Sequence, residues 1–262
     1  LLSDFQALRK QSGYQVVHFP TYPPRNRNVT TQQIVTVHDL TWWKYPETSS
    51  FLGNNYYKQN MTKAILKTDA IICPSASIKN EIVNQFSIIP SKIKVIPHGN
   101  SLPIGVKQKP NKPYFLSIGT VEPRKNLDFY SKAINESGLL SNFEFIHVGR
   151  PGWGKLPEIL KNVNSNNDQD LANLITNATT VVIPSIYEGF GLPVLEAHAQ
   201  GIPVVVSNTG ALVELSNSSD KIFELGNLSS LVESLKYFAD SEKKLQAAEI
   251  ELAKSYTWLK SA

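Results

Sequence analysis

TVVIPSIYEGFGLPVLEAHAQGIPVVVS, residues Thr180 to Ser207, holds two short apolar runs separated by a glycine turn and a helix-forming segment. Continuous apolar runs of four or five residues suit strands buried on both faces. Pro193 falls at the first turn of the intervening helix, where its missing N–H costs nothing. Strand, turn, helix and strand in this order make a βαβ unit, and that unit requires a parallel sheet. The N–H groups that open the helix lack intrahelical partners, and with the helix dipole they form an anion site suited to phosphate. Gly189 and Gly191 let a ligand approach the backbone closely. Glu188 stands in the turn at the mouth of the sheet, and Glu196 follows eight positions later, on what reads as the first helical turn. The plainer alternative makes Glu196 a carboxylate favouring the dipole and Glu188 a solvated loop residue.

The same alternation extends in both directions. Tyr14–Phe19, Gln33–Val37, Asp69–Cys73 and Lys92–Ile96 read as strands, with helices over Tyr56–Lys67 and Ser75–Gln85. Ser75 or Ser77 is the N-cap candidate of the second helix. Pro97 to Pro113 breaks the pattern with four prolines, two glycines and three lysines, so it reads as a linker. Strands resume at Tyr114–Ile118, Phe143–Val148, Thr180–Ile183 and Ile202–Val206. Helices are expected over Asn126–Ser137, Leu171–Asn177, Pro193–Gln200, Leu228–Ala239 and Lys243–Lys254. Asn162–Asp170 is polar and reads as loop. The expected fold class is α/β, with two domains that each carry a mostly parallel sheet.

Composition narrows the functions. With 262 residues, 41% apolar and 18% charged, the chain can bury a core and is neither collagen-like nor disordered. The single cysteine, Cys73, forms no internal disulfide and fits a reducing compartment. No apolar run approaches a membrane span. Residues 1–112 hold 14 Lys/Arg against 5 Asp/Glu, a net +9, and residues 113–262 hold 12 against 17, a net −5. Such a split suits halves with different partners, although dispersed surface charge explains it equally well. Nucleic-acid binding is disfavoured, because no element carries a dense basic stripe with interleaved aromatics.

Three further clusters carry chemistry. Gly149 to Leu156 (GRPGWGKL) follows a strand and looks like a phosphate-binding P-loop, but Leu156 replaces the Ser/Thr that would hold magnesium. The NTPase reading is therefore rejected. In Ser117 to Asn126 (SIGTVEPRKN) two adjacent cations, Arg124 and Lys125, precede a helix that Asn126 would cap. Cations there oppose the dipole unless an anion lies between them and the helix; otherwise they are solvated loop charges. In Val37 to Thr41 (VHDLT) a strand ends in His38, which could reach a ligand hydroxyl or act as a base. His18 is a weaker candidate. The aromatic run Trp42-Trp43-Lys44-Tyr45 suits plain packing, with sugar stacking or membrane contact as alternatives.

YEGFGLPVLEA, preceded by VVIPS and followed by GIPVVVSNTGALVEL, resembles the retaining glycosyltransferases of family 4. SIGTVEPRKNL is similar to their phosphate loop, FIHVGRPGWG to the next strand and turn, and VTVHDLTWWKYPE to their N-domain His motif. AIICPSASIKNEIVNQFSIIPSKIKVIPHGN and YTWLKSA match in the family's order as well. The resemblance implies the GT-B fold, two Rossmann-like domains facing a central cleft. It places an acceptor-side domain at 1–105, a nucleotide-sugar domain at 106–250, and a closing segment at 251–262 packing back on the first.

The resemblance also implies roles. Glu188 would contact the donor sugar near the reacting centre, and His38 would contact it from across the cleft. Glu196 would bind the nucleotide ribose. Lys125 and Arg124 would neutralise the pyrophosphate, and the amides of Phe190, Gly191 and Leu192 would bind phosphate. Gly119, Thr120, Gly149 and Arg150 fall in the donor-binding loops. No metal and no cofactor is implied, the donor being a nucleotide-diphosphate sugar. The expected acceptor is a saccharide or lipid-linked saccharide, met by the basic half in a peripheral contact with the inner face of the membrane in the cytoplasm. The expected products belong to bacterial polysaccharide synthesis, through mannosyl, rhamnosyl or glucosyl transfer.

Departures from the family pattern are visible. Thr120 stands where many members carry Arg. Against the family pattern the sequence is expected to lack the opening strand with its glycine-rich loop and a strand between Trp153 and Leu171, whether by deletion or because the sequence is part of a longer chain. These departures support an alternative, a non-catalytic sugar-nucleotide-binding or scaffolding subunit on the same fold.

Overall fold

The computed structural model describes residues 15–21, 32–48, 54–240 and 253–262. The chain divides into two compact units, Leu1–Ile96 and Pro97–Ala262. The division falls at the start of the 97–113 segment and not near residue 105, because the segment adheres to the second unit. The Gly105 N–H donates to Gln200 Oε1 (2.8 Å), Val106 to Asn173 Oδ1 (2.7 Å) and Gln108 to Asn177 Oδ1 (2.6 Å). Residues 253–262 are grouped with this unit as well. The Asn100 N–H donates to Tyr256 O (3.1 Å), and the Ser261 hydroxyl donates to Pro97 O. The helix expected at Lys243–Lys254 falls largely outside the described residues.

The first unit comprises β1 (Val16–Phe19), β2 (Gln32–Thr36), α1 (Thr41–Lys44), α2 (Asn54–Lys67), β3 (Ala70–Cys73), α3 (Ala76–Phe86) and β4 (Ile93–Val95). The strands pair in parallel in the order β1-β2-β3-β4, with Val35 opposite Ile71 and Ile71 opposite Ile93. Ser75 caps α3, its hydroxyl accepting from the Ile78 N–H at 3.2 Å. The short helix α1 is started by Asp39, whose carboxylate accepts from the Thr41 N–H (2.9 Å), while the buried Trp42 donates back to Asp39 O (3.1 Å).

The second unit comprises β5 (Tyr114–Ile118), α4 (Leu127–Ser137), β6 (Glu144–Val148), β7 (Lys161–Val163), α5 (Asp168–Asn177), β8 (Thr180–Ile183), α6 (Leu192–Ala199), β9 (Val204–Ser207), α7 (Gly210–Leu215), β10 (Lys221–Phe223), α8 (Leu228–Asp240) and α9 (Trp258–Ser261). All six strands are parallel, in the order β10-β9-β8-β5-β6-β7. This is the doubly wound Rossmann order, and it reverses between β5 and β8. Alternate strand residues feed two cores. Leu116, Val181, Ile183, Val204 and Val206 face one layer with Val194 and Leu195 of α6; Phe115, Phe145, Val182 and Val205 face the other with Tyr130 and Leu235.

The strand thought missing between Trp153 and Leu171 is present. It is β7, paired with β6 so that Val163 lies opposite Val148. It sits at the sheet edge with Lys161 and Asn162 exposed, so its sequence carries no apolar alternation to reveal it.

At the opposite end of the sheet from the strands' C-termini, His198 of α6 meets Asp220. His198 Nε2 lies 3.1 Å from Asp220 Oδ2, with both side chains almost wholly buried. Asp220 also accepts from the Val204 N–H and the Asn217 N–H, each at 2.8 Å. One carboxylate thus ties the end of α6 to the start of β9.

Candidate donor site at the sheet switch point

Where strand order reverses, the loops after the two central strands splay apart and leave a crevice at their C-terminal ends. Here those loops are Gly119–Asn126 after β5 and Pro184–Gly191 after β8. They are tied together before any ligand is considered. The Ile186 N–H donates to Arg124 O (2.9 Å), and the Asn126 side chain donates to Pro184 O (3.1 Å). Asn126 therefore does not cap α4 as expected. It sits in the left-handed region (φ 55°) with no capping bond, because its amide is used across the crevice.

The charges meet in the same place. Lys125 Nζ lies 2.7 Å from Glu188 Oε1, and Arg124 lies 2.9 Å from Glu188 Oε2. Arg124 also reaches Glu122 (2.5 Å) and donates to Tyr187 O (2.6 Å). The Ser185 hydroxyl donates to Glu188 Oε1 (2.7 Å). These groups are mostly buried, with Lys125 only 9% exposed, so neither solvated-loop alternative holds. Burial by itself would raise the Glu188 pKa. The charges of Lys125 and Arg124, with the hydrogen bonds from Lys125 and Ser185, outweigh it and hold the carboxyl at about 2.

α6 opens into this crevice. Gly191 precedes it at φ 103°, a conformation that side chains rarely adopt, and no side chain caps the helix. Its first N–H groups are those that a helix leaves unpaired. Glu196 lies beyond the first turn, which holds no acidic residue, so the dipole explanation for it fails. Burial, with help from Asp168 and against Lys125, raises its carboxyl to about 7. In the unfolded chain it ionises near its ordinary value of 4.5. The folded state therefore holds an extra proton between these values, and the stabilisation this gives is lost as pH rises through 7. Glu196→Gln is expected to stabilise the protein at pH 8 and leave it unchanged at pH 4.5, as urea unfolding at the two values would show.

The turn after β6 completes the floor. The Gly119 N–H donates to Val148 O and the Val121 N–H to Arg150 O, each at 3.0 Å. Gly119 and Thr120 are half-buried here, and the Arg150 side chain is exposed. A Cβ on Gly149 would lie 1.8 Å from Gly119 O. Gly149→Ala is therefore expected to force the two loops apart and to lower stability by about 2 kcal/mol, as thermal unfolding would show.

Beneath the turn lies His147, wholly buried. Its Nδ1 is 2.9 Å from Ser117 Oγ, and its Nε2 makes no hydrogen bond of good geometry. Burial lowers its pKa, the Gly119 backbone opposes this, and Lys125 adds to the lowering. A neutral imidazole there adds no third cation to the pair above it. Ser185, Glu122, Asp168 and His147 had escaped the sequence reading. Their only signal was proximity in sequence to Glu188, Arg124, the start of α5 and the end of β6.

His38 belongs to the other unit, where it is exposed and its Nε2 lies 2.7 Å from Pro20 O. His18 is held 2.8 Å from Thr36 Oγ1. Among the described residues no group of three or more His, Cys, Asp or Glu could hold a metal ion, and no helix is long and apolar enough to cross a membrane.

A family model described as glycosyl transferases group 1 matches residues 104–255, which contain this whole site. The chain belongs to that family. A second model, glycosyltransferase family 4, matches residues 1–102. The chain is 27% identical to the O-antigen chain mannosyltransferase B of Escherichia coli, over 96% of its own length and 73% of the relative's. It is 25% identical to a UDP-Gal:alpha-D-GlcNAc-diphosphoundecaprenol alpha-1,3-galactosyltransferase of Escherichia coli, over 92% and 70%. Of other curated relatives that it matches, it spans about half the length. Sucrose-phosphate synthase from Thermosynechococcus elongatus shares the fold of this glycosyltransferase, with a TM-score of 0.79 at 17% identity over 99% of this chain and 74% of that one. The α/β, Rossmann-like reading of the sequence thus holds, as does its resemblance to the glycosyltransferases.

Proposed function

We propose that this glycosyltransferase moves a hexose from a nucleotide-diphosphate sugar to a saccharide or lipid-linked saccharide, with retention of configuration and without a metal. The observation that carries the proposal is the ion cluster at the switch point. Arg124 and Lys125 are clamped on Glu188 beside the uncapped start of α6. Arg124 and Lys125 balance Glu122 and Glu188, so the cluster is neutral until an anion arrives. An incoming diphosphate lies against the N–H groups of Phe190, Gly191 and Leu192 and draws the two cations toward itself. Glu188, released from them, accepts hydrogen bonds from the hydroxyls of the transferred sugar. Glu196, ionising near neutrality, accepts from the ribose.

In the reaction the bond between the sugar's anomeric carbon and the diphosphate oxygen breaks, and a bond to the acceptor oxygen forms on the same face. The leaving phosphate takes the acceptor's proton. Stabilising that departing charge is the task of Lys125, Arg124 and the helix start, and it replaces the work a divalent ion would do. The names of the relatives, a mannosyltransferase of O-antigen chains and a galactosyltransferase acting on a diphosphoundecaprenol-linked sugar, support a hexose donor and a lipid-linked acceptor. Incubation with nucleotide sugars and lipid-diphosphate-linked saccharides, followed by proton NMR of the product, tests it. A new glycosidic bond of the donor's anomeric configuration is expected. An inverted product, or no transfer from any donor, contradicts it.

A further inference from the structure

A cavity of about 450 Å³ opens in the first unit between α1 and the first half of α2. Trp43 forms one wall, and Asn55, Lys58, Gln59, Thr62 and Lys63 form the rest. That volume suits a small ligand. Its position is informative. β2 ends at Thr36, the chain passes through His38, and α1 follows at once. α2 then leads back to the start of the parallel strand β3, so its first turns lie toward the strands' C-terminal ends. Ligands of open parallel sheets bind at that edge.

The lining is rich in donors and free of acids. α2 carries Lys58, Lys63 and Lys67 and no Asp or Glu. Lys58 Nζ lies 4.4 Å from the centre of the Trp43 ring, and among the described residues no carboxylate pairs with it. The ring itself is fixed, edge-on to Trp42 (6.1 Å) and to Phe86 (5.2 Å). A cation held over a fixed ring loses little freedom when it meets an anion. Thr62 Oγ1 is buried without a hydrogen-bond partner, and the amides of Asn55 and Gln59 add donors. Sugar sites commonly use carboxylates to accept from hydroxyls, and this lining offers only the amide oxygens of Asn55 and Gln59. Ammonium, amide and hydroxyl donors with no acid among them match the oxygens of a phosphate.

We propose that this pocket is an anion site that holds a phosphate or diphosphate on the acceptor side. The assignment to the acceptor rests on the transfer reaction above; the affinity for phosphate does not. The phosphate comes either from a diphosphate-linked saccharide or from lipid headgroups at a bilayer.

The test uses the whole chain, as wild type and as Lys125→Ala to silence the donor site. Inorganic pyrophosphate is titrated at low salt and followed by tryptophan fluorescence. A saturable change is expected in both proteins. It disappears in Trp43→Phe and shifts to about tenfold higher pyrophosphate in Lys58→Ala and in the near-isosteric Thr62→Val. In a second arm, vesicles of phosphatidylglycerol in phosphatidylcholine are compared with phosphatidylcholine alone by co-sedimentation. Pyrophosphate binding that depends on Lys58 identifies a diphosphate ligand; Lys58-dependent pelleting without it identifies headgroup phosphate. A response that survives Trp43→Phe, or no dependence on Lys58 in either arm, overturns the proposal. Donor-induced thermal stabilisation is read separately. If it is absent while the Trp43 response persists, the transfer reading fails and the anion site stands.

Discussion

Glu188→Gln is expected to lower transfer by about 100-fold to 1,000-fold while leaving binding of the free nucleoside diphosphate as tight as in wild type, or tighter. The two halves of this result have one cause. Glu188 holds Lys125 at 2.7 Å and Arg124 at 2.9 Å, so the free protein has already neutralised the cations that a diphosphate needs. Glutamine keeps the shape and one acceptor oxygen but removes the competing charge. The diphosphate then gains, and the sugar loses the carboxylate that would accept from its hydroxyls. A residue that only braced the loop would lose both functions together. Steady-state kinetics with a direct nucleotide titration separates the outcomes; unchanged kcat would remove Glu188 from the reaction.

Asp220→Ala is expected to be the most destabilising single change at a distance from the site, costing about 3–5 kcal/mol and lowering Tm by roughly 10 °C. The substitution leaves buried His198 without its partner and orphans the Val204 and Asn217 N–H groups that Asp220 accepts from. These groups lie at the end of α6, the start of β9 and the turn before β10, away from the strand ends that carry the ion cluster. Thermal unfolding gives the loss. Donor KM, measured at a temperature where the variant is folded, is expected to stay within about twofold of wild type, because Gly191 and the first turn of α6 are held by Leu212 and the core around Val194.

How far these features could be read from sequence follows from how local their causes are. The parallel sheets were legible because runs such as TVVI and IPVVV are buried on both faces and tolerate almost nothing polar. β7 and β10 were not, because a three-residue edge strand needs no apolar code. The anion invoked between the cations and the helix proved to be the protein's own. Arg124, Lys125 and Glu188 each stood out alone, yet the pairing of Lys125 with Glu188 spans 63 positions and depends on which strands become neighbours. The expected Asn126 cap failed for the same reason: its side chain found a better acceptor across the crevice, in Pro184 O. The raised pKa of Glu196 comes first from burial and then from Asp168, brought near by α5, and no spacing rule could have disclosed either.

The central claim is that a nucleotide-diphosphate sugar binds on Arg124 and Lys125 at the β5/β8 switch point. A thermal-shift panel of nucleotide sugars, run in parallel on the wild type and on Lys125→Ala, tests it most directly. At least one donor is expected to raise the Tm of the wild type by several degrees and to leave that of Lys125→Ala unmoved. An equal shift in both proteins, or none with any nucleotide sugar, would contradict the claim.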